Sequence, residues 1–369
     1  MKLTCTQENL LRGLQKTLGL AGKHPNLPIL SNILLQADKE GLTLIATNLE
    51  IGIKTKVRGK VEEVGSFTVN AKLLGDFVSS LKRENISIEL QENTLIIKGE
   101  NHTTKIKGES ANDYPLIPEL SPESTISIPT RELSNGLGQV VFAASTDEGR
   151  PELNAILFTI AEDKLTLVAT DSYRLAEKHL TLAKKSESEQ KLIIPLKTIQ
   201  QLNKILTEDE DSEETTIMVN DNQIKVIVGA TELLSRIIIG HYPDYEQIIP
   251  TSFGSTINFQ ASSLAPTIKT TALFCQPGIN DVRVSFVPDT KEIQLRAQNS
   301  MSGDNVSRVT ADVSGKAGEI VFNYRYLLDG INNLESEKGK IDLNDSNGPA
   351  LLSPEGDMTW RYLIMPIKQ

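Results

Sequence analysis

Cysteine is scarce in this chain, whose 369 residues include only Cys5 and Cys275. Two cysteines so far apart make no disulfide framework, so the composition favours a reducing cytoplasm. No apolar run approaches the roughly 18 residues that a membrane helix needs. The first residues have neither an apolar signal core nor an Arg-rich transit face, and we therefore expect no targeting segment.

Motifs of catalysis and metal binding are also missing. The sequence contains no GxxxxGK[ST], HExxH, GxSxG, CxxC or EF-hand spacing. Its four histidines (His24, His102, His179 and His241) are scattered, without a Cys or His partner at ligand spacing. The acidic run at 208–214 lacks the alternating ligands of a calcium loop, which favours a solvated loop. We therefore expect no catalytic residue, metal or cofactor, and the pattern indicates a binding or structural role.

Positive charge is in the minority, with 38 Lys and Arg against 48 Asp and Glu, a formal net charge of -10. An acidic chain is a poor first candidate for binding nucleic acid. With 39% hydrophobic and 23% charged residues the composition is that of a globular protein, and the length predicts two or three domains.

An internal repeat refines this estimate. Three segments match at 42–48, 165–171 and 293–299, and their starts are 123 and 128 positions apart. A fixed period of this kind indicates one structural unit repeated along the chain. The sequence therefore predicts three related domains at 1–124, 125–251 and 252–369.

Each repeat passes from a helical period of apolar residues to a period of two, twice over. In the first repeat the predicted helices are Glu8–Leu20 and Ala71–Leu81. The predicted strands are Ile29–Gln36, Leu42–Thr47, Ile51–Val57, Ile86–Leu90, Thr94–Lys98 and Thr103–Lys107. Asn, Gly, Asp and Lys clusters supply hairpin turns between strands. The fold class is thus α+β, with two helices against an antiparallel sheet in each domain.

The charges are unevenly distributed over these elements. The formal charges of the six predicted helices sum to +7, which leaves -17 on the rest of the chain. Such segregation lets one face attract phosphates while the other repels them. Ordinary Lys and Arg usage in helices is the alternative explanation.

Several motifs resemble the bacterial β sliding clamp family, the processivity subunits of DNA polymerase III. They are Leu27-Pro28-Ile29-Leu30, the run 168–176, Tyr242-Pro243-Asp244-Tyr245, Phe322-Asn323 with 326–329, and Met365-Pro366-Ile367. The resemblance covers the whole chain. It implies a non-catalytic, head-to-tail dimer whose ring encircles duplex DNA without reading its sequence. It also implies as partners the replicative polymerase, a clamp loader and other proteins with a clamp-binding peptide, and no membrane.

The resemblance also implies three sets of site residues. The DNA-facing positions are Lys23, His24, Lys72 and Arg150, to which the charge pattern adds Lys197. The walls of a partner-peptide groove are Leu153, Thr170, Ser172, Tyr173, Arg174, Leu175, Pro243, Ile248, Asn323, Tyr326, Ile364, Met365 and Pro366. The dimer interface is formed by Thr104 and Ile106 on an edge strand of domain 1 and by Leu273 and Phe274 in domain 3.

The chain departs from the family at several of these places. The family often has an arginine at His24, aromatic residues at Pro151 and Glu152, an aromatic residue at Thr104 and a basic residue at Gln247. Two other functions stay open from the residues alone. One is an enzyme whose site forms between repeats, and the other is a repeat-built adhesion or scaffold module.

Overall fold

A computed structural model describes residues 1–22, 26–186, 189–209 and 211–368. Within these residues the backbone contacts define two units, each with its own sheet. Unit 1 comprises the described part of Met1–Ser134, Leu182–Ser188 and Lys197–Ile239. Unit 2 comprises the described part of Asn135–Thr181, Glu189–Leu196 and Gly240–Gln369. No described helix is long and apolar enough to cross a membrane.

Six α-helices occur in the described residues, two for each sequence repeat. They are α1 (Gln7–Leu18), α2 (Ala71–Ser80), α3 (Thr130–Val141), α4 (Leu196–Glu208), α5 (Ala261–Ala272) and α6 (Tyr324–Asn332). Side chains just before three of them cap free backbone N–H groups. Thr6 accepts from Asn9, Asn70 from Leu73 and Asn323 from Arg325. These caps fix where α1, α2 and α6 begin.

The strands of the first repeat are β1 (Lys2–Thr6), β2 (Asn32–Asp38), β3 (Gly41–Thr47), β4 (Ile51–Val57), β5 (Gly59–Glu63), β6 (Gly65–Asn70), β7 (Asn85–Gln91), β8 (Thr94–Lys98) and β9 (Thr103–Glu109). Those of the second are β10 (Ser124–Pro129), β11 (Ala155–Ala161), β12 (Lys164–Thr170), β13 (Arg174–Thr181), β14 (Gln190–Pro195), β15 (Glu214–Val219), β16 (Gln223–Val228) and β17 (Thr231–Arg236). Those of the third are β18 (Ser255–Gln260), β19 (Asp281–Phe286), β20 (Glu292–Asn299), β21 (Gly303–Gly315), β22 (Gly318–Asn323), β23 (Lys338–Leu343), β24 (Ala350–Pro354) and β25 (Trp360–Ile364).

Most elements predicted for the first repeat are present, and the differences have local causes. The start of the predicted strand Ile29–Gln36 is a 3₁₀ turn over Pro28–Ser31, where Pro28 fixes the first φ angle. Three strands were not predicted, namely β1, β5 and β6. β5 is a mostly exposed edge strand with little hydrophobic alternation, so its sequence gives only a weak strand signal.

Unit 1 contains a 13-stranded sheet in the order β10-β15-β16-β17-β4-β3-β2-β6-β9-β8-β7-β1-β5. The helices α1 and α2 cover the part of this sheet that comes from the first repeat. Leu10 and Leu14 of α1 and Leu74 and Val78 of α2 are fully buried there. They belong to one hydrophobic core with residues of β1, β2, β3 and β7 to β9. Their spacing of four places each pair on one face of its helix, as the sequence predicts.

Unit 2 contains a 12-stranded sheet in the order β14-β11-β12-β13-β25-β24-β23-β18-β21-β20-β19-β22. Trp360 and Tyr362 of β25 are fully buried, with stacked rings 6.1 Å apart. The Trp360 indole N–H donates to the Gln139 carbonyl at 2.9 Å. The aromatic core of this unit is therefore anchored on α3.

Each sheet contains one junction at which strands of two successive repeats pair. In unit 1, β17 pairs with β4 and sets Glu232 opposite Lys54. In unit 2, β13 pairs with β25 and sets Glu177 opposite Arg361. Glu177 is fully buried, and its Oε1 accepts from Arg361 at 2.7 Å and 2.8 Å and from His179 at 2.7 Å. Burial alone would raise the pKa of Glu177, but these hydrogen bonds outweigh it and lower the pKa.

Candidate functional site

The C-terminal residues border a cavity of about 500 Å³ in unit 2. Six of the predicted groove residues line it, from the loop after β12, the start of α6 and the segment after β25. They are Ser172, Tyr173, Asn323, Tyr326, Met365 and Pro366. The cavity is thus built from residues almost 200 positions apart, which the β13–β25 pairing brings together.

Backbone hydrogen bonds hold the two walls of this cavity in place. The Met365 N–H donates to the Tyr173 carbonyl at 2.9 Å and extends the β13–β25 ladder. The Ile367 N–H donates to the Val321 carbonyl at 2.8 Å. On the opposite wall Ser172 has φ of 80°, and its N–H donates to Thr170 Oγ1. A left-handed conformation is costly for serine and needs such support from its surroundings.

Arg174 does not line the cavity itself but contacts Tyr326, which does. Its guanidinium contacts Asp171 at 2.9 Å and Asp329 at 2.5 Å, and lies 4.5 Å from the ring centroid of Tyr326. Burial works to lower the pKa of Arg174, but Tyr362, Asp329 and Asp171 act more strongly in the other direction, so the pKa is raised. The cation and the ring therefore hold Tyr326 in the lining of the cavity.

The other predicted groove residues lie elsewhere. Leu153, Thr170, Leu175 and Ile364 are buried and do not line the cavity. Arg174 is 12% exposed and also lies outside the lining. Pro243 borders a second cavity of about 380 Å³, together with Tyr242 and Tyr245.

Ile248 is 47% exposed and borders neither of these two cavities. Three further residues line the 500 Å³ cavity without having been predicted, namely Ile279, Ile367 and Lys368. Ile367 and Lys368 directly follow the predicted pair Met365-Pro366, and that adjacency could have indicated them. Ile279 lies in a loop of the third repeat with no local signal.

A basic residue occupies the second position of the second helix in every repeat. These residues are Lys72 of α2, Lys197 of α4 and Arg325 of α6, and all three are exposed. Lys72 and Lys197 were predicted to face DNA, whereas Arg325 was not. The predicted residues Lys23 and His24 lie outside the described residues.

Arg150, also predicted to face DNA, is exposed but already has partners. Its Nε lies 3.4 Å from Asp147, and its Nη1 donates to Ser172 Oγ at 3.2 Å. The neighbouring carboxylate reduces the attraction of this guanidinium for a phosphate.

The predicted interface residues differ in their environments. Leu273 is 75% exposed, and Phe274 and Thr104 are half-buried. Ile106 is 2% exposed and packs in the core of the first repeat. Its side chain therefore belongs to that core, and only its backbone lies along β9.

Comparison with known proteins matches the whole chain. Family models of the DNA polymerase III beta subunit match residues 1–118 (N-terminal domain), 127–244 (central domain) and 246–368 (C-terminal domain). The beta sliding clamp of Synechococcus elongatus is 30% identical over 372 residues, covering 100% of this chain and 99% of that protein. The beta sliding clamp of Synechocystis is 29% identical over 388 residues, covering 100% and 99%.

Solved structures show the same similarity. The sliding clamp of Pseudomonas aeruginosa bound to griselimycin has a TM-score of 0.94 and 28% identity, covering 100% of both chains. The sliding clamp of Bacillus subtilis has a TM-score of 0.93 and 27% identity, covering 100% of this chain and 99% of that one. The predicted α+β fold of three related domains is confirmed by these matches.

Proposed function

The chain belongs to the DNA polymerase III beta subunit family, the beta sliding clamps, and we propose that two copies close head to tail around duplex DNA. The predicted function, a sliding clamp that makes a DNA polymerase processive, is confirmed by the family match, as is the prediction of a non-catalytic subunit. The domain limits 1–124, 125–251 and 252–369 remain part of the proposal.

The arrangement of paired and unpaired strand edges carries the proposal of a head-to-tail dimer. Within the chain, β17 of the second repeat pairs with β4 of the first, and β25 of the third pairs with β13 of the second. Among the described residues, besides the strands that end each sheet (β5, β10, β14 and β22), two strands have an edge without a partner. One is β9 at 103–107, and the other is β21 at 303–310. Unpaired edges favour association with another chain. These two edges are complementary, because β9 has the place in its repeat that β17 and β25 have in theirs, and β21 has the place of β4 and β13.

The basic helix starts support contact with DNA. Lys72, Lys197 and Arg325 occupy equivalent positions in three repeats, so a symmetric arrangement of the repeats presents them to the duplex in the same way. A ring holds DNA by topology, so its phosphate contacts can be few and mediated by water, as sliding requires. We expect no sequence preference, because base edges are read only by groups that enter a groove.

The 500 Å³ cavity in unit 2 supports the proposal of a docking site for partner peptides. Tyr173, Ile279, Tyr326 and Met365 give it an apolar lining, and Asn323 and Ser172 add polar groups at its rim. Such a lining suits the aliphatic and aromatic side chains of a short linear peptide. The flexible thioether of Met365 adapts to different side chains, which allows several partners to share one site. We propose the replicative polymerase and the clamp loader among these partners, acting in the cytoplasm.

Retention on DNA tests this function. The protein is loaded with a bacterial clamp loader and ATP onto nicked circular DNA, separated from free protein by gel filtration, and the DNA is then cut once. We expect the protein to stay on the intact circle and to leave the linear molecule within the same time. Equal release from circular and linear DNA would contradict the proposal.

A further inference from the structure

Building on the head-to-tail dimer proposed above, we infer the residue register of the seam between the two chains. The seam pairs β9 of one chain with β21 of the other, and it sets Thr104 opposite Asn305 of the partner subunit. It also sets Lys105 opposite Asp304 of the partner subunit. Both pairings follow from the two junctions inside the chain.

The strands β4, β13 and β21 can be aligned with one another through the strands with which they form hairpins. Ile53 pairs with Ala46, Ala176 pairs with Ala169, and Asn305 pairs with Ala297. The three alanines occupy the fifth position of the repeated segments at 42–48, 165–171 and 293–299. Ile53, Ala176 and Asn305 are therefore equivalent residues of the three repeats.

The strands β9, β17 and β25 can be aligned in the same way. Thr104 pairs with Ile97, Leu233 with Val226 and Tyr362 with Leu352. Ile97, Val226 and Leu352 each come two positions after the first buried residue of their own strand. The three buried residues are Leu95, Ile224 and Ala350. Thr104, Leu233 and Tyr362 are therefore equivalent as well.

Both junctions inside the chain join these equivalent residues. In unit 1, Leu233 lies opposite Ile53, and in unit 2, Tyr362 lies opposite Ala176. Since one register serves two different sequences, it is set by the shared backbone geometry of the repeat. Transferred to the unpaired edges, the same register sets Thr104 opposite Asn305 of the partner subunit.

The hydrogen-bond pattern of the junctions gives the type of each pair. The Lys56 N–H donates to the Ala230 carbonyl at 3.0 Å, and the His179 N–H donates to the Thr359 carbonyl at 2.7 Å. Because bonded pairs alternate with non-bonded ones, Leu233 and Ile53 form a non-hydrogen-bonded pair. Thr104 and Asn305 of the partner subunit then also form a non-hydrogen-bonded pair, whose side chains lie closer together than those of a hydrogen-bonded pair.

The neighbouring position distinguishes the seam from the junctions inside the chain. There, Leu234 lies opposite Gly52 and Leu363 lies opposite Leu175. All three leucines are buried, and the side chain of Ile117 lies against Gly52. At both junctions the side of the sheet on which these residues lie is covered by other parts of the protein. Apolar residues therefore suit this position.

At the seam the equivalent residues are Lys105 and Asp304, and both are exposed. Within the described residues neither makes an ion pair in its own chain. Opposite charges directly across from each other favour pairing, whereas a slip by one residue moves them to different faces. Lys105 and Asp304 thus select both the partner edge and the register.

Engineered disulfides test the register. T104C/N305C, with closely spaced Cβ atoms, should give a covalent dimer on mild oxidation. T104C/S307C, displaced by two residues, serves as the matched control and should cross-link at least about tenfold more slowly, because diagonal neighbours lie roughly 7–8 Å apart. The parent is a suitable background, because burial raises the pKa of Cys5 to about 12 and that of Cys275 to about 11.

Charge exchange tests the selecting pair. K105E and D304K should each raise the dimer dissociation constant by about tenfold, since like charges then face each other at both seams. The double variant K105E/D304K should return to within about threefold of the parent. If the parent is dimeric but T104C/S307C cross-links faster than T104C/N305C, the register alone is overturned. The same holds if the double variant K105E/D304K does not recover. A parent that stays monomeric overturns the dimer of the proposed function itself.

Discussion

The buried ion pair between Lys16 and Asp209 makes the largest single polar contribution that we expect in unit 1. The Lys16 Nζ lies 2.6 Å from Asp209 Oδ2 and 3.4 Å from Thr231 Oγ1. The two charged side chains are only 11% and 12% exposed. The pair joins α1 of the first repeat to the residue that follows α4, almost 200 positions along the chain.

The size of the effect follows from this geometry. At an effective dielectric constant of about 20, two unit charges at this distance attract by about 6 kcal/mol, an upper bound before the cost of desolvation. Removing one partner from a buried pair typically costs about 3–5 kcal/mol. Both side chains here border a cavity of about 600 Å³, through which water can reach an unpaired charge. We therefore expect K16M or D209L to lower the free energy of unfolding by about 2–3 kcal/mol.

A double-mutant cycle separates this coupling from general damage. K16M/D209L replaces both charges by apolar groups, and its stability should lie within about 1 kcal/mol of the parent. Stabilities are measured by urea unfolding followed by circular dichroism. The exposed pair Lys56–Glu40, with side chains 63% and 75% exposed, serves as the control and should show no measurable coupling. A coupling at Lys16 and Asp209 as small as that of the control would refute the reasoning.

Three further predictions concern the groove, the helix starts and the buried acid. M365A should weaken binding of a clamp-binding peptide by about tenfold in a fluorescence anisotropy titration, with the dimer intact, because an anchoring side chain of the groove is lost; unchanged peptide affinity would remove Met365 from the site. K72E or K197E should speed loss of the protein from circular DNA more at low salt than at high salt, whereas K164E, at the exposed first residue of β12, should not. Equal loss rates would take these residues off the DNA face. E177Q should be less stable than the parent at pH 7, because the lowered pKa of Glu177 adds stability at pH values above the ordinary glutamate pKa of about 4.3. The difference in stability between E177Q and the parent should shrink as the pH falls through the lowered pKa. A difference independent of pH would contradict the assignment.

The sequence predicted those parts of the fold that rest on local periodicity. The strands Thr94–Lys98 and Ile51–Val57 have the predicted limits, because β-branched and apolar residues fill them and turn residues bound them. The junctions between repeats left no such signal. Pairing of β17 with β4 depends on backbone groups, and backbone groups do not appear in a hydrophobic pattern. The Lys16–Asp209 pair was not predictable for the same reason, since nothing local links residues so distant.

The groove was predicted in outline through resemblance to a family, and its details required the structure. Ser172, Tyr173 and Met365 line the cavity as expected from their motifs. Leu175, in the same motif as Ser172 and Tyr173, and Ile364, next to Met365, are buried, because successive strand residues face opposite sides of a sheet. A motif thus identified the segment, while the register of β13 against β25 decided which of its side chains are accessible.

Molar mass in solution tests the closure of two chains into a ring most directly. A head-to-tail contact either closes after a fixed number of subunits or continues into open chains. Sedimentation equilibrium should give a single species of twice the 40.5 kDa of one chain, with nothing larger as the concentration rises. A monomer at every concentration, or a series of ever larger assemblies, would contradict the clamp that we describe.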